Sequence, residues 1–305
     1  MIRGLNVSNK VAVLLATYNG EKYLREQLRT IEMQTHENWH LFIRDDGSTD
    51  ATVDIIKEFS SRFSNTTIVD NFGEFTGSAA GNFFKLLNFS DFEGFSHISL
   101  ADQDDIWAPT KLESALSHMS LVGAGGYSSN LVSYDNTSFR ANYIDKSQPQ
   151  KKFDFIFQGA SAGCTYVFTR ETCLLIQKKT INIDSFKGRS HDWLIYALCR
   201  TNDIPWVFDQ EAHIFYRQHA GNVFGSMSAF AGLVARLKLL RSGWYRENVL
   251  WIAEKSGADA KASAVVDRIK RNSLMDKISL AKTVSQFRRS NKESKALVFI
   301  IFLFF

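Results

Sequence analysis

Asp102, Asp104 and Asp105, set around the amide of Gln103, are the densest gathering of carboxylates at the end of an apolar run in the chain. Crowded carboxylates repel one another and are costly to desolvate, so a site that collects them expects a cation. Mg2+ or Mn2+ suits such donors: the ion takes one or two protein carboxylates and completes its oxygen shell with water and substrate phosphates. A nucleoside diphosphate is the natural third party. An acidic turn capping the next helix, with Pro109 in its first turn, would use the same letters, so the motif takes its meaning from its setting.

That setting is a series of strands that each end in polar groups. Ile98, Leu100 and Ala101 read as the end of a buried strand, which brings the three aspartates to its C-terminal edge, where open α/β sheets bind ligands. Lys10 to Ala16 reads as a first buried strand, and Thr17, Tyr18, Asn19 and Gly20 turn from it into a helix with Leu24, Leu28 and Ile31 on its apolar side. Asn19 fits the N-cap of that helix. His40 to Arg44 is a second strand ending in Asp45, Asp46, Gly47, Ser48, Thr49 and Asp50. Ser48, Thr49 or Asp50 suffices for capping, which leaves Asp45 or Asp46 to accept a hydrogen bond from a base N–H or a ribose hydroxyl. Thr67 to Asp70 follows as a third strand, with Gly73, Gly77 and Gly81 in a pliable loop that could grip phosphate. The GxGxxG dinucleotide fingerprint and a Walker lysine are both absent. Four alternations of strand and helix imply a doubly wound, mostly parallel α/β sheet.

Further along, Gly125 to Tyr134 and Ala160 to Thr169 read as strands, 135 to 158 as an irregular cover over the site. Ser190, His191, Asp192 and Trp193 start a helix, where Asp192 would at least complement the helix dipole. Pro205 to Asp209 and His213 to Tyr216 read as two short strands, with Arg217 and His219 beyond them as donors for a phosphate.

Composition bounds the compartment and partners. Cys164, Cys173 and Cys199 are odd in number and lack metal or redox spacing, which predicts reduced thiols in the cytoplasm and no disulfide. The N-terminal apolar run leads into TYNGEKY rather than a signal-peptide cleavage site. The formal charge of +4 is uneven: residues 229–305 hold 15 Lys and Arg against 6 Asp and Glu, and residues 1–228 hold 21 against 26. A basic tail suits an anionic membrane surface or a solvated helical face, and nucleic acid is not expected as a partner.

Four motifs now stand in order: TYNG at 17–20, DDGSTD at 45–50, ADQDD at 101–105 and HDW at 191–193. Together they resemble the family 2 glycosyltransferases of GT-A fold over roughly the first three quarters of the chain. YRQH at 216–219 and the Trp after ADQDDI are similar to the bacterial rhamnosyltransferase-like branch that builds surface polysaccharides. The resemblance implies that Thr17, Tyr18 and Asn19 flank the nucleotide and that Asp45 or Asp46 reads the base or ribose. It implies that Asp102 meets the sugar nucleotide, that Asp104, with Asp102, holds Mg2+ or Mn2+ on the diphosphate, and that Asp192 is the general base. His191-Asp192 stands where the family usually has Glu-Asp, and the Gln-x-x-Arg-Trp motif of processive synthases is missing. The implied reaction is an inverting single displacement from a nucleotide-diphosphate sugar, rhamnose among the candidates, to a saccharide or polyprenyl-linked acceptor. A sugar-nucleotide pyrophosphorylase would need a Gly-rich loop with Arg and Lys after the first strand, and an inactive scaffold would have lost Asp104 or Asp192; neither departure is present.

The expected organisation is a catalytic domain over 1–225, with a nucleotide half to about 120 and an acceptor half beyond it, then a helical basic tail over 226–305. Leu237, Leu240, Trp244 and Trp251 recur at helical spacing, which predicts a surface-seeking helix. Ala296 to Phe305 is wholly apolar and follows Arg288, Arg289, Lys292 and Lys295. As a helix it reaches only about 15 Å against a hydrocarbon core of roughly 30 Å, so it cannot span. It predicts peripheral attachment at the inner face of the plasma membrane, with Phe299, Phe302 and Phe305 in the interface.

Overall fold

Val11 to Leu15 are all fully buried, which a strand achieves only when both faces of its sheet are covered. The structure, a computed structural model, describes residues 9–135, 140–219 and 237–305. In chain order it runs β1 (Val11–Thr17), α1 (Leu24–Glu32), β2 (Trp39–Asp45), α2 (Thr52–Arg62), β3 (Thr66–Ile68), α3 (Ala79–Leu87), β4 (His97–Asp102) and β5 (Ile106–Trp107). There follow α4 (Lys111–Val122), β6 (Gly126–Asp135), β7 (Arg140–Ile144), α5 (Asp154–Phe157), β8 (Val167–Thr169), α6 (Arg170–Thr180), α7 (His191–Thr201) and β9 (Trp206–Arg217). Helices Trp244–Ser256, Asp259–Arg271, Leu274–Lys282 and Asn291–Phe304 complete the described chain.

The sheet order is β3-β2-β1-β4-β8-β6-β9-β5, with β7 paired to β6. The first four strands are parallel, so their C-terminal ends share one edge. Thr17 pairs with Asp45, and Ala16 with Asp102, which sets the ends of the first three motifs side by side. Alternate residues of β1 enter two cores. Val11, Val13 and Leu15 pack with Leu24 and Leu28 of α1 and Ile55 of α2. Ala12 and Leu14 lie in the core shared by α3, α7 and the tail helices. Two-sided cover of this kind is what a parallel sheet requires.

Several local expectations need correction. Asn19 caps nothing: α1 begins at Leu24, and Asn19 stands at φ 47, its Oδ1 accepting from the Thr49 N–H instead. The stretch 160–169 is not one strand, because a 3-10 turn at Gly163–Thr165 precedes the short β8. The two strands expected over 205–216 are one, β9, whose pairing to β6 slips in register between Ser129 and Val132. The segment 135–158 holds β7 and α5 rather than irregular chain alone.

The tail is also placed otherwise than its spacing suggested. Trp244 and Trp251 pack against the core, and the indole N–H of Trp244 donates to the Gly188 carbonyl at 2.9 Å. Tyr245 stacks on Trp193 of α7 at 5.9 Å, and Phe305 is buried beside Tyr245. Arg289, 5% exposed, donates to the carbonyls of Gly159 and Ala160. An apolar stripe reads alike whether it faces lipid or protein, and here Leu240, Trp244 and Trp251 face the protein's own core. What stays outside is Leu237 of that stripe, with Leu274, Met275, Phe299, Phe302 and Leu303 further on. No helix among the described residues is long and apolar enough to cross a membrane.

Candidate active site

The first wall of the site is a hydrogen-bonded weave of the turns after β1 and β2. Thr17, buried, donates from Oγ1 to Asp45 Oδ1 at 2.9 Å. Asp45 also accepts from the Gly47 and Ser48 N–H groups at 3.0 and 2.7 Å and from Ser48 Oγ. The Asn19 N–H donates to Ser48 Oγ at 2.7 Å, and the Gly20 N–H to Thr52 Oγ1 at 2.7 Å. These bonds leave the Tyr18 side chain outside, 56% exposed. Asp46 is used differently. It is buried, pairs with Arg44 at 3.0 Å, and accepts from the Thr76 and Gly77 N–H groups, both at 2.8 Å. Asp46 therefore anchors the loop after β3, while Asp45 stays at the open edge. The loop sets the ring of Phe75, itself exposed, over Gly47: a Cβ on Gly47 would come within 2.6 Å of that ring.

The second wall comes from β4. Burial pushes the Asp102 carboxyl up to about 7, with Asp104 and Asp192 adding repulsion. Carboxylates from motifs far apart in sequence thus converge on Asp102, and both Asp104 and Asp192 favour its protonated form. Asp105, fully buried, is pushed well above the usual carboxylate range by burial and then by Asp102 and Asp104, and its Oδ2 has no hydrogen-bond partner among the described residues. Cys164 lies within reach of Asp102 and Asp105, their ligand-type atoms within 4.8 Å of one another. Burial and these two carboxylates push its thiol up, so it stays protonated and is a poor ligand for a hard cation. Lys111 is buried beneath, donating to Ser99 Oγ at 2.8 Å and lying 3.7 Å from the Trp107 ring centre. Burial draws its ammonium down to about 7, against the pull of Cys164 and Asp105.

Asp104 sits on the open side. Its Oδ2 is 2.8 Å from His219 Nε2, and its backbone carbonyl accepts from Arg217 Nε at 2.9 Å. Arg217 is buried, ion-paired to Glu26 and lying 4.4 Å from the Tyr23 ring centre. It is placed as a strut under Asp104 rather than at the open edge. Partly exposed Asp102 and Asp104, near enough that the second raises the pKa of the first, fit a cation that prefers oxygen and keeps open positions for substrate.

Asp192 belongs to the first turn of α7. The Ser190 hydroxyl donates to its Oδ1, as does the Trp193 N–H at 2.7 Å. Its neighbour His191 lies over Phe83, ring centres 4.3 Å apart, and fills the space at Gly163, where a Cβ would meet His191 Nε2 at 2.3 Å. The fold thus brings Thr17, Tyr18, Asn19 and Asp45 together on one wall, and Asp102, Asp104, His219 and Asp192 into one electrostatic neighbourhood. Glu26, Lys111 and Phe75 were not singled out from sequence, and Cys164 was read only as a reduced thiol, because each carries no motif and acquires its place only through tertiary packing.

Comparison with known proteins agrees with this architecture. The profile described as Glycosyl transferase family 2 matches residues 12–194. The dTDP-rhamnosyl transferase RfbG of Shigella flexneri is 38% identical over 249 residues, 81% of this chain and 86% of that protein. The crystal structure of S. aureus TarS 1-349 in complex with UDP superposes with a TM-score of 0.59 at 15% identity, covering 95% of this chain and 83% of that one. The mannosyltransferase PcManGT from Pyrobaculum calidifontis, in complex with GDP-Man and Mn2+, gives a TM-score of 0.51 at 14% identity, covering 96% and 84%.

Proposed function

The chain belongs to glycosyl transferase family 2, and we propose that it is an inverting rhamnosyltransferase that uses a nucleoside-diphosphate donor in bacterial surface-polysaccharide synthesis. The rhamnosyl assignment leans on the likeness to RfbG, and the chemistry on one observation: parallel strands whose register sets Thr17 beside Asp45 and Ala16 beside Asp102 gather the motif carboxylates at one edge of the sheet. Tyr18 and Asp45 face the nucleoside, with Thr17 and Asn19 holding that wall in shape. Asp104 and Asp102 would hold Mg2+ or Mn2+, which when bound offsets charge on the departing diphosphate. Arg217 fixes the Asp104 backbone, and His219 its carboxylate.

Asp192 accepts the proton of the acceptor hydroxyl as that oxygen attacks the anomeric carbon; the bond from that carbon to the diphosphate oxygen breaks on the opposite face. The Ser190 hydroxyl and the Trp193 N–H hold the Asp192 carboxylate ready for this. Residues to about 120 serve the donor, and those from about 121 to 225 the acceptor, Arg217 and His219 excepted as supports of Asp104.

The acceptor is a saccharide carried on a polyprenyl lipid, and the enzyme works peripherally at the cytoplasmic face of the membrane. Support comes from exposed Leu274, Met275, Phe299, Phe302 and Leu303, with exposed Lys295 and Lys292 one and two turns before Phe299. Apolar side chains beside cations match an anionic interface. The test is to incubate the protein with a panel of nucleotide sugars and Mn2+ and follow release of nucleoside diphosphate. Release only from dTDP-rhamnose supports the reading, and no release from any donor rejects it.

A further inference from the structure

Gln103 lies between two of the carboxylates that would hold the cation, yet its side chain turns toward the other wall. Its Oε1 accepts from the Tyr18 N–H at 2.9 Å, and its Nε2 donates to the Tyr18 carbonyl at 2.9 Å. A side-chain amide paired in both directions with one residue's backbone imitates a rung of a strand ladder. Strands β1 and β4 are parallel neighbours that pair through Ala16 and Asp102, so the rung carries their pairing one step beyond the strand ends. The amide orientation follows from its partners, since a backbone N–H only donates and a carbonyl only accepts.

Gly20 makes room for this rung. A Cβ there would stand 2.3 Å from Gln103 Oε1 and 2.7 Å from its Cδ. Gly20 is not among the residues with positive φ, while Asn19 before it takes the left-handed turn at φ 47. The glycine is therefore needed for the space it leaves and not for its backbone freedom.

We infer that Gln103 is a positioning residue that ties the nucleotide-facing turn Thr17–Gly20 to the cation-holding carboxylates, so that nucleoside diphosphate and divalent cation bind as a linked pair. The inference rests on the donor reading above. An ion that settles Asp102 and Asp104 also settles Gln103 between them, and through it the backbone on which Tyr18 is carried. Linkage makes this reciprocal: nucleotide held against Tyr18 favours the ion to the same degree.

The test is calorimetry of thymidine diphosphate with and without Mn2+ on the full chain, for the wild type and for Gln103→Ala, Gly20→Ala and the double variant. Mn2+ tightens nucleotide binding in the wild type, and Gln103→Ala reduces that gain by about tenfold, the scale of two modest hydrogen bonds. Gly20→Ala, which pushes the same amide away, gives a similar loss. The double variant is no worse than Gln103→Ala alone, because removing the amide removes the clash. Gln103→Glu, which keeps the size but loses the donor to Tyr18, falls with Gln103→Ala. A purely structural role would lower the melting temperature and leave the gain from Mn2+ unchanged; that result, or losses that multiply in the double variant, would overturn the inference. If the wild type binds no nucleoside diphosphate at all, the donor reading fails and takes the inference with it. Wild-type binding with an unaffected Gln103→Ala removes the inference alone.

Discussion

Replacing Asp102 by asparagine should stabilise the protein when divalent cation is withheld. The carboxyl stands at about 7 in the folded chain against 3.8 for an ordinary aspartate. A raised carboxyl pKa means that the unfolded chain gives up its proton first. The resulting penalty is absent below pH ~4, grows as pH rises, and is complete above pH ~7. Three pKa units correspond to about 4 kcal/mol, and solvent and relaxation around a partly exposed group lower this, so about 2–4 kcal/mol is expected. The asparagine side chain has the same shape and no charge to desolvate. Chemical denaturation in the presence of chelator should therefore show Asp102→Asn more stable than the wild type at pH 8, with the two converging below pH ~4. Comparing the variants cancels the opposing contribution of groups such as His97, whose pKa burial lowers to about 4. Mn2+ should restore the wild type at pH 8 and do little for the variant. A variant no more stable than the wild type at pH 8, or a difference that ignores pH, would refute the idea that this edge is short of positive charge.

Asp104→Asn should weaken Mn2+ binding at least tenfold while leaving the melting temperature near that of the wild type, since the amide keeps shape without charge; metal titration followed by spin resonance reads both bound and free ion. Asp192→Asn should bind nucleotide normally and transfer about 10²–10⁴-fold more slowly, seen by calorimetry beside a transfer assay; a near wild-type rate would leave Asp192 as a helix-end residue only. Arg289→Leu should cost about 1–3 kcal/mol in denaturant titrations, because it leaves the carbonyls of Gly159 and Ala160 without their donor and unlatches the tail, while Asp154 keeps Arg200. Phe299→Ser with Leu303→Ser should lose co-sedimentation with anionic vesicles at low salt while keeping the fold by circular dichroism, and unchanged sedimentation would remove the membrane patch.

The legible part of this chain was the part where strand and chemistry coincide in a few consecutive letters. Apolar runs ending in Thr17, Asp45 and Asp102 gave both a parallel sheet and the edge where a site forms, because strand order forces those ends together. The roles of Asp45 and Asp46 were not separable, since the division depends on Thr76 and Gly77, which meet Asp46 only through the folded loop. Arg217 read as an open phosphate donor because its partner Glu26 lies on α1, far off in sequence. The tail misled for a related reason. Trp244 and Trp251 have the spacing of a surface-seeking helix, and only the packing of Tyr245 on Trp193 reveals that the surface is the protein's own. What spacing cannot supply is the identity of the opposite face.

The most direct test of the transferase assignment is a proton NMR time course of donor, polyprenyl-linked saccharide acceptor and Mn2+ with the wild type and Asp192→Asn. The expected result is a new glycoside whose anomeric configuration is opposite to the donor's, formed by the wild type, abolished by chelator and nearly lost in the variant. A product that retains the donor's configuration, or one formed equally well without Asp192, would contradict the single displacement described here.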